Sequence, residues 1–258
     1  MRLTFLGTGT SFGVPQIGCD CVVCRSHDPR DKRTRSGALV EAGDAAILID
    51  TPPELRLQLI TAGRHRVDAV LYTHEHADHI NGIDDLRMFS VQRSQPLPLY
   101  GPPETLERIR TSFNYIFDDR VRPYEGTSKP ALEPRPLEPG RSVRVAGVDV
   151  LPLAFQHGHI RVFGYRLGGL AYITDVKEVP EAVRPCLQGL DVLAINALWW
   201  RPHPTHLSID EAIRTARELG AKRTFLTHLT HETGYADLAA RLPPGIAPAY
   251  DGLTVEVE

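Results

Sequence analysis

The sequence predicts an α/β protein in which two mixed β-sheets pack face to face with helices on the outside. Two observations carry this reading. Short apolar runs of strand length alternate with longer amphipathic segments along the whole chain. Side chains able to bind metal follow several of those runs on both sides of the Pro-rich stretch 122–139, the one plausible linker. A boundary there would divide a single cluster of side chains, so residues 1–258 are expected to form one domain.

In chain order, strands are predicted at 3–6, 38–41, 45–49, 69–73, 97–100, 143–145, 148–153, 163–167, 171–173, 192–196, 224–226 and 253–257. Helices are predicted at 53–62, 83–93, 104–115, 181–187, 209–219 and 236–241. Thr51 with Glu54, and Ser208 with Glu211, have capping-box spacing, and Pro52 and Pro53 suit a first helical turn. Gly63 and Gly220 supply stops. The stretch Gly7, Thr8, Gly9, Thr10 lacks the full dinucleotide or P-loop pattern and is expected to be a tight turn.

Composition narrows the class. With 258 residues, 42% hydrophobic and 24% charged, the chain can bury a substantial core. No apolar run reaches the ~18 residues of a membrane span, and the first residues lack a signal peptide's basic start, so a cytoplasmic protein with no membrane partner is expected. A net charge of −3 offers no bulk attraction to a polyanion, which disfavours extended nucleic-acid binding.

The densest chemistry lies at 74–79, where His74, His76, Asp78 and His79 directly follow the run Val70, Leu71, Tyr72. His74 and His76 are two apart and can converge on one ion, while Asp78 and His79 fall past the bend and can reach a second. A lone loop histidine such as His65 is ordinarily just solvated, but four such groups in six residues are costly to desolvate without a cation. A second cluster, Cys19, Cys21 and Cys24, supplies three of the four soft ligands of a tetrahedral structural zinc; free thiols or a redox pair are the alternatives. Cys186 reads as a buried small hydrophobe, which leaves His231, three residues after His228, as the better fourth ligand.

The pattern His74, His76, Asp78, His79 after a hydrophobic strand resembles the signature of the metallo-β-lactamase fold hydrolases, whose other motifs match in order. Asp50 corresponds to the buried carboxylate that supports the metal loop, and His157, Asp175 and His228 to the later ligands. The resemblance implies an αββα sandwich with two catalytic metals, Mn²⁺, Zn²⁺ or Fe. His74, His76 and His157 would hold one, Asp78, His79 and His228 the other, and Asp175 would bridge them. The cysteine triplet is similar to that of PhnP-type phosphodiesterases, which act in carbon–phosphorus lyase pathways and hold a structural Zn²⁺ with such a triplet plus a histidine. This likeness covers most of the chain and departs at 121–140.

From the resemblance follows an expected activity: hydrolysis of a small phosphodiester, with 5-phosphoribosyl 1,2-cyclic phosphate the leading substrate. Asp78 is suited to orient the attacking hydroxide. His206 matches a catalytic histidine outside the metal shells and would contact phosphate and protonate the leaving alkoxide. Trp199 and Trp200 are candidate pocket walls, although adjacent tryptophans more often divide between core and rim, and His159 and His203 are weaker candidates for phosphate contact. The alternatives are a tRNase Z-like nuclease, a thioester or lactone hydrolase, and a metal-binding scaffold without activity. A homodimer is a further expectation.

Overall fold

The computed structural model describes residues 1–93 and 95–258. The first sheet takes β1 (Arg2–Gly7), β2 (Gly37–Ala42), β3 (Ala45–Ile49), β4 (Ala69–Leu71), β5 (Leu97–Gly101) and β6 (Leu132–Pro136). The second takes β7 (Val143–Val145), β8 (Val148–His157), β9 (Ile160–Leu167), β10 (Leu170–Ile173), β11 (Val192–Asn196), β12 (Arg223–Thr227) and β13 (Ile246–Pro248). The last strand, β14 (Thr254–Glu256), returns to the first sheet beside β1. The orders are β14-β1-β2-β3-β4-β5-β6 and β13-β12-β11-β10-β9-β8-β7, the αββα sandwich expected from sequence.

Strand periodicity explains the layering. Ile47 and Ile49 of β3, like Val192 and Ala194 of β11, point between the sheets and join Leu3, Phe5, Phe163 and Tyr165 in a common core. Their neighbours alternate outward. Leu48 meets Leu55, Leu59, Ile83 and Ile109 on one side, while Leu193 and Ile195 meet Ile209, Ala212, Ala216 and Leu219 on the other. Strands buried on both faces read as continuous apolar runs, which is why Ala45–Ile49 and Val192–Asn196 are found at the predicted bounds.

Several expectations need correction. The Pro-rich stretch is not merely a linker: it contains β6, which pairs in parallel with β5 along Leu97↔Leu132 to Gly101↔Pro136. β6 is an edge strand, where missing proline N–H groups cost little. Thr51 is no cap. Its hydroxyl lies 2.9 Å from the Tyr72 hydroxyl and donates to Ile80 O at 3.2 Å, and the helix begins later, at Leu55–Thr61. The predicted helix 83–93 splits into a 3₁₀ turn, Ile83–Leu86, and Arg87–Val91; 104–115 divides into Pro103–Ser112 and Asn114–Phe117; 181–187 yields only the 3₁₀ turn Arg184–Leu187. By contrast Ile209–Leu219 has its full capping box at Ser208 and Glu211 and a left-handed stop at Gly220. The segment from Gly7 to Thr10 is a close crossing instead of a turn, since Gly9 bridges both Arg35 and Leu229 and a Cβ on Gly9 would meet Arg33 O at 2.7 Å.

No helix among the described residues is long and apolar enough to cross a membrane.

Candidate metal centre

Five strand ends deliver the predicted residues to one place. Asp50 follows β3, His74 to His79 follow β4, His157 closes β8, Asp175 follows β10 and His228 follows β12. β3-β4-β5 and β10-β11-β12 are parallel within their sheets, so their carboxyl ends gather the side chains along one crevice. The two sheets are stitched together there: Phe163 N donates to Thr73 O at 2.9 Å, and the Tyr165 hydroxyl donates to Tyr72 O. Asp50, Asp175 and His228 all adopt left-handed backbone, with φ of 61°, 58° and 57°. Non-glycine residues adopt this conformation sparingly, and here it turns each chain sharply off its strand into the crevice.

Asp50 organises the first half. Fully buried, it accepts from Thr73 N at 2.7 Å, from the Thr73 hydroxyl at 2.8 Å and from His79 Nδ1 at 2.8 Å. The last bond fixes the His79 tautomer and turns Nε2 inward, where it is buried without a hydrogen-bond partner, 3.4 Å from both Asp78 Oδ2 and Asp175 Oδ2. His74 Nε2 and His76 Nδ1 lie 3.0 Å apart, the separation of two adjacent nitrogens bound at right angles to one cation at about 2.1 Å. His157 Nδ1 donates to Thr205 O at 3.1 Å and leaves its other nitrogen for the crevice. Asp175 sits between the sets, with Oδ1 3.0 Å from His228 Nε2, and Thr174 donates to its Oδ2 at 2.6 Å.

The groups His74–His76–His157, His74–His79–Asp175 and Asp78–His79–His228 could each hold a cation. Electrostatics agree with a cation-seeking cavity. Burial, reinforced by His79, pushes His74 well below the usual imidazole range, and burial with His157 lowers His76, so both are neutral donors. Burial would raise Asp175 and Asp78, but His228 and His79 overcome it for the former and His79 for the latter, holding both carboxylates below their ordinary range. For His79 burial is overcome by Asp175, Asp78 and Asp50, which raise its affinity for a positive charge at the Nε2 position.

His206 lies nearer than its expected place outside the metal shells implied. Its ring stacks on His228 at 4.8 Å, its centroid is 4.6 Å from that of His157, and its unpartnered Nδ1 is 3.7 Å from Asp175 Oδ1. Burial, then His228, depresses its pKa to about 3. His203 packs against it at 5.1 Å, whereas His159 is exposed. The tryptophans divide: Trp200 packs on the second sheet's outer core, and Trp199 edges His203. Thr73 and Thr174, which orient Asp50, His74 and Asp175, escaped the sequence reading; a threonine directly before His74 and before Asp175 was the available signal.

The cysteine cluster is also assembled. Cys19, Cys21 and Cys24 Sγ lie 3.2, 3.4 and 3.5 Å from His231 Nδ1, close to the ~3.5 Å expected between sulfur and nitrogen on a tetrahedral zinc. Cys186 packs elsewhere, against the second sheet's outer core. The Cys24 amide holds the Cys21 thiol down to about 6, while burial lifts Cys24 to about 11. A hollow of about 680 Å³ opens where β3 begins at Ala45, at the other end from Asp50, and its Arg66, Arg93 and Arg135 are paired with Asp68 and Glu133. We assign the chemistry to the buried histidine cluster instead, because several possible metal donors converge there and His79 Nε2 and His206 Nδ1 are buried without a partner.

Residues 45–229 match the family model described as the β-lactamase superfamily domain. The chain belongs to this family. The β-lactamase superfamily consists mostly of hydrolases, and the metallo-β-lactamase fold generally binds divalent metals. The chain is similar over its whole length to a crystal structure titled a new diphosphatase from the PhnP family, with 38% identity, 98% of that chain covered and a TM-score of 0.91. It is 41% identical, again over 100% of its length, to a protein of Porphyromonas gingivalis named octanoyltransferase, and spans 52% of that relative. Human tRNase Z, short form, superposes with a TM-score of 0.71 over 100% of both chains at 19% identity, a likeness of fold alone.

Proposed function

We propose that the chain is a dinuclear metal-dependent phosphodiesterase acting on a small phosphodiester, with a five-membered cyclic phosphate of the 5-phosphoribosyl 1,2-cyclic type the leading candidate. The observation that carries this is Asp175, whose two oxygens face His228 on one side and His79 on the other within 3.4 Å. A carboxylate so placed would be within reach of two cations at once. Its likeness to a PhnP-family diphosphatase supports phosphoester chemistry, and the donor set of imidazoles and carboxylates suits Zn²⁺, Mn²⁺ or Fe.

In this reading His74, His76 and His157 hold one ion, Asp78, His79 and His228 hold the other, and Cys19, Cys21, Cys24 and His231 hold a structural Zn²⁺. The catalytic pair, when bound, would acidify water and neutralise charge on the phosphoryl group. Asp78 orients the nucleophile from its position beside His79. Asp50 locks His79 and, through Thr73, His74, so that neither ring must reorganise during turnover. His206 brings an unpartnered nitrogen to the crevice, where it would contact the phosphoryl group and, if a bound phosphoester offsets the burial that depresses its pKa, hand a proton to a departing alkoxide.

Protein loaded with Mn²⁺ or Zn²⁺ should hydrolyse bis(p-nitrophenyl) phosphate far faster than p-nitrophenyl phosphate or a thioester. Equal inertness toward diesters would leave a scaffold; cleavage at a tRNA 3′ end would favour the nuclease, and faster thioester cleavage the acyl hydrolase.

A further inference from the structure

A smaller hollow of about 270 Å³ lies between the loop 10–16 and the segments 199–201 and 230–232, the last of which carries His231 of the cysteine cluster. Three planar groups define it. The Arg201 guanidinium lies on the Trp199 ring at 3.7 Å and is held flat by Glu232, to which Nη1 donates at 2.6 Å. The Phe12 ring also lines it and is 66% exposed, an unusual place for a large aromatic. The half-buried Gln16 brings an amide to the same wall.

A chain of packed rings leads from the wall of the cleft to the reaction centre. Trp199 contacts His203 at 5.3 Å, His203 contacts His206 at 5.1 Å, and Thr230 is two residues beyond His228. Its charge decides what it accepts. Arg201 is cancelled by Glu232, so the cleft has no net pull on a second phosphate, whereas flat apolar and guanidinium faces favour an uncharged planar ring. Its volume suits one ring system and is too small for a run of nucleotides.

We propose that this cleft is the specificity subsite for a nucleobase on the phosphoester substrate, with the base stacked between Phe12 and the outer face of Arg201. The proposal rests on the phosphodiesterase reading and narrows it to nucleoside-bearing esters. Phe12 and Arg201 are positioning residues: they hold the base, and the bond broken lies at the histidine cluster.

Two matched diesters test it, thymidine 5′-(4-nitrophenyl phosphate) and methyl 4-nitrophenyl phosphate, which release the same phenolate. The metal-loaded protein should favour the nucleoside ester in kcat/KM by about tenfold or more, the scale of one base stacked on an aromatic side chain. Phe12→Ala and Arg201→Ala should each erase most of that preference and leave methyl ester cleavage unchanged. Equal rates on the two esters in the wild type, or a preference that survives both substitutions, overturns the subsite while the phosphodiesterase reading stands. Titration with AMP against ribose 5-phosphate by calorimetry gives a reading without turnover. Tighter AMP binding that is lost in Phe12→Ala supports the subsite even if neither ester is cleaved, in which case it is the phosphodiesterase reading that fails. Equal affinities overturn the subsite.

Discussion

The histidine cluster and the cysteine cluster solve the same problem, gathering metal donors, in opposite ways. Donors of the first come from four strand ends in two sheets, and most are buried; His74 and His79 are fully so. Donors of the second come from one short loop and a single histidine, with Cys19, Cys21 and His231 only half-buried. Fold packing therefore holds the first set in place before any ion arrives. In the second, an ion would itself be the tie between the loop at 19–24 and the segment after β12. Removing metal should therefore have different consequences at the two places: lost chemistry at one, loosened structure at the other.

The largest expected effect breaks the first cluster at its centre. Asp175→Asn should lower kcat for diester hydrolysis by about 10³-fold or more through loss of shared-cation stabilisation, with little change in melting temperature. A retained rate would show that Asp175 is not shared. His206→Ala should cost about 10²- to 10⁴-fold in kcat with both catalytic metals present by elemental analysis. A drop in metal content would instead make His206 a ligand, a role its 3.7 Å approach to Asp175 permits. Asp50→Asn should weaken metal affinity by about 10- to 100-fold, read from chelator competition, because His79 loses its fixed tautomer. Cys21→Ser should remove one equivalent of zinc and lower the melting temperature while altering kcat least of the four; unchanged zinc content would end the structural-zinc assignment.

The same contrast explains what was legible in the sequence. Ligands from distant segments could be placed because each follows a buried strand, and a buried strand leaves an unbroken apolar run, as at 45–49 and 192–196. β6 was missed because its Leu-Glu-Pro-Arg-Pro sequence looks like a loop, and only its position at the sheet edge lets two prolines be tolerated. Thr51 misled because a hydroxyl three residues before a glutamate signals a cap only if nothing else claims it, and Tyr72 and Ile80 do. Helix 83–93 was read as continuous from spacing that two shorter turns also satisfy. The cleft between Phe12 and Arg201 joins residues nearly two hundred apart, and no local pattern announces it.

The left-handed turns at Asp50, Asp175 and His228 bear on how this molecule should be mutated and how it can drift. Alanine scanning there would confound two losses, the functional group and the ease of the reversed bend, so a dead variant would say little about chemistry. Asparagine tolerates that conformation better than other residues with a Cβ, and it is nearly isosteric with aspartate. Variants that have surrendered catalysis but kept the architecture should consequently carry asparagine or glycine at these three corners, a mark by which inactive descendants could be recognised from sequence.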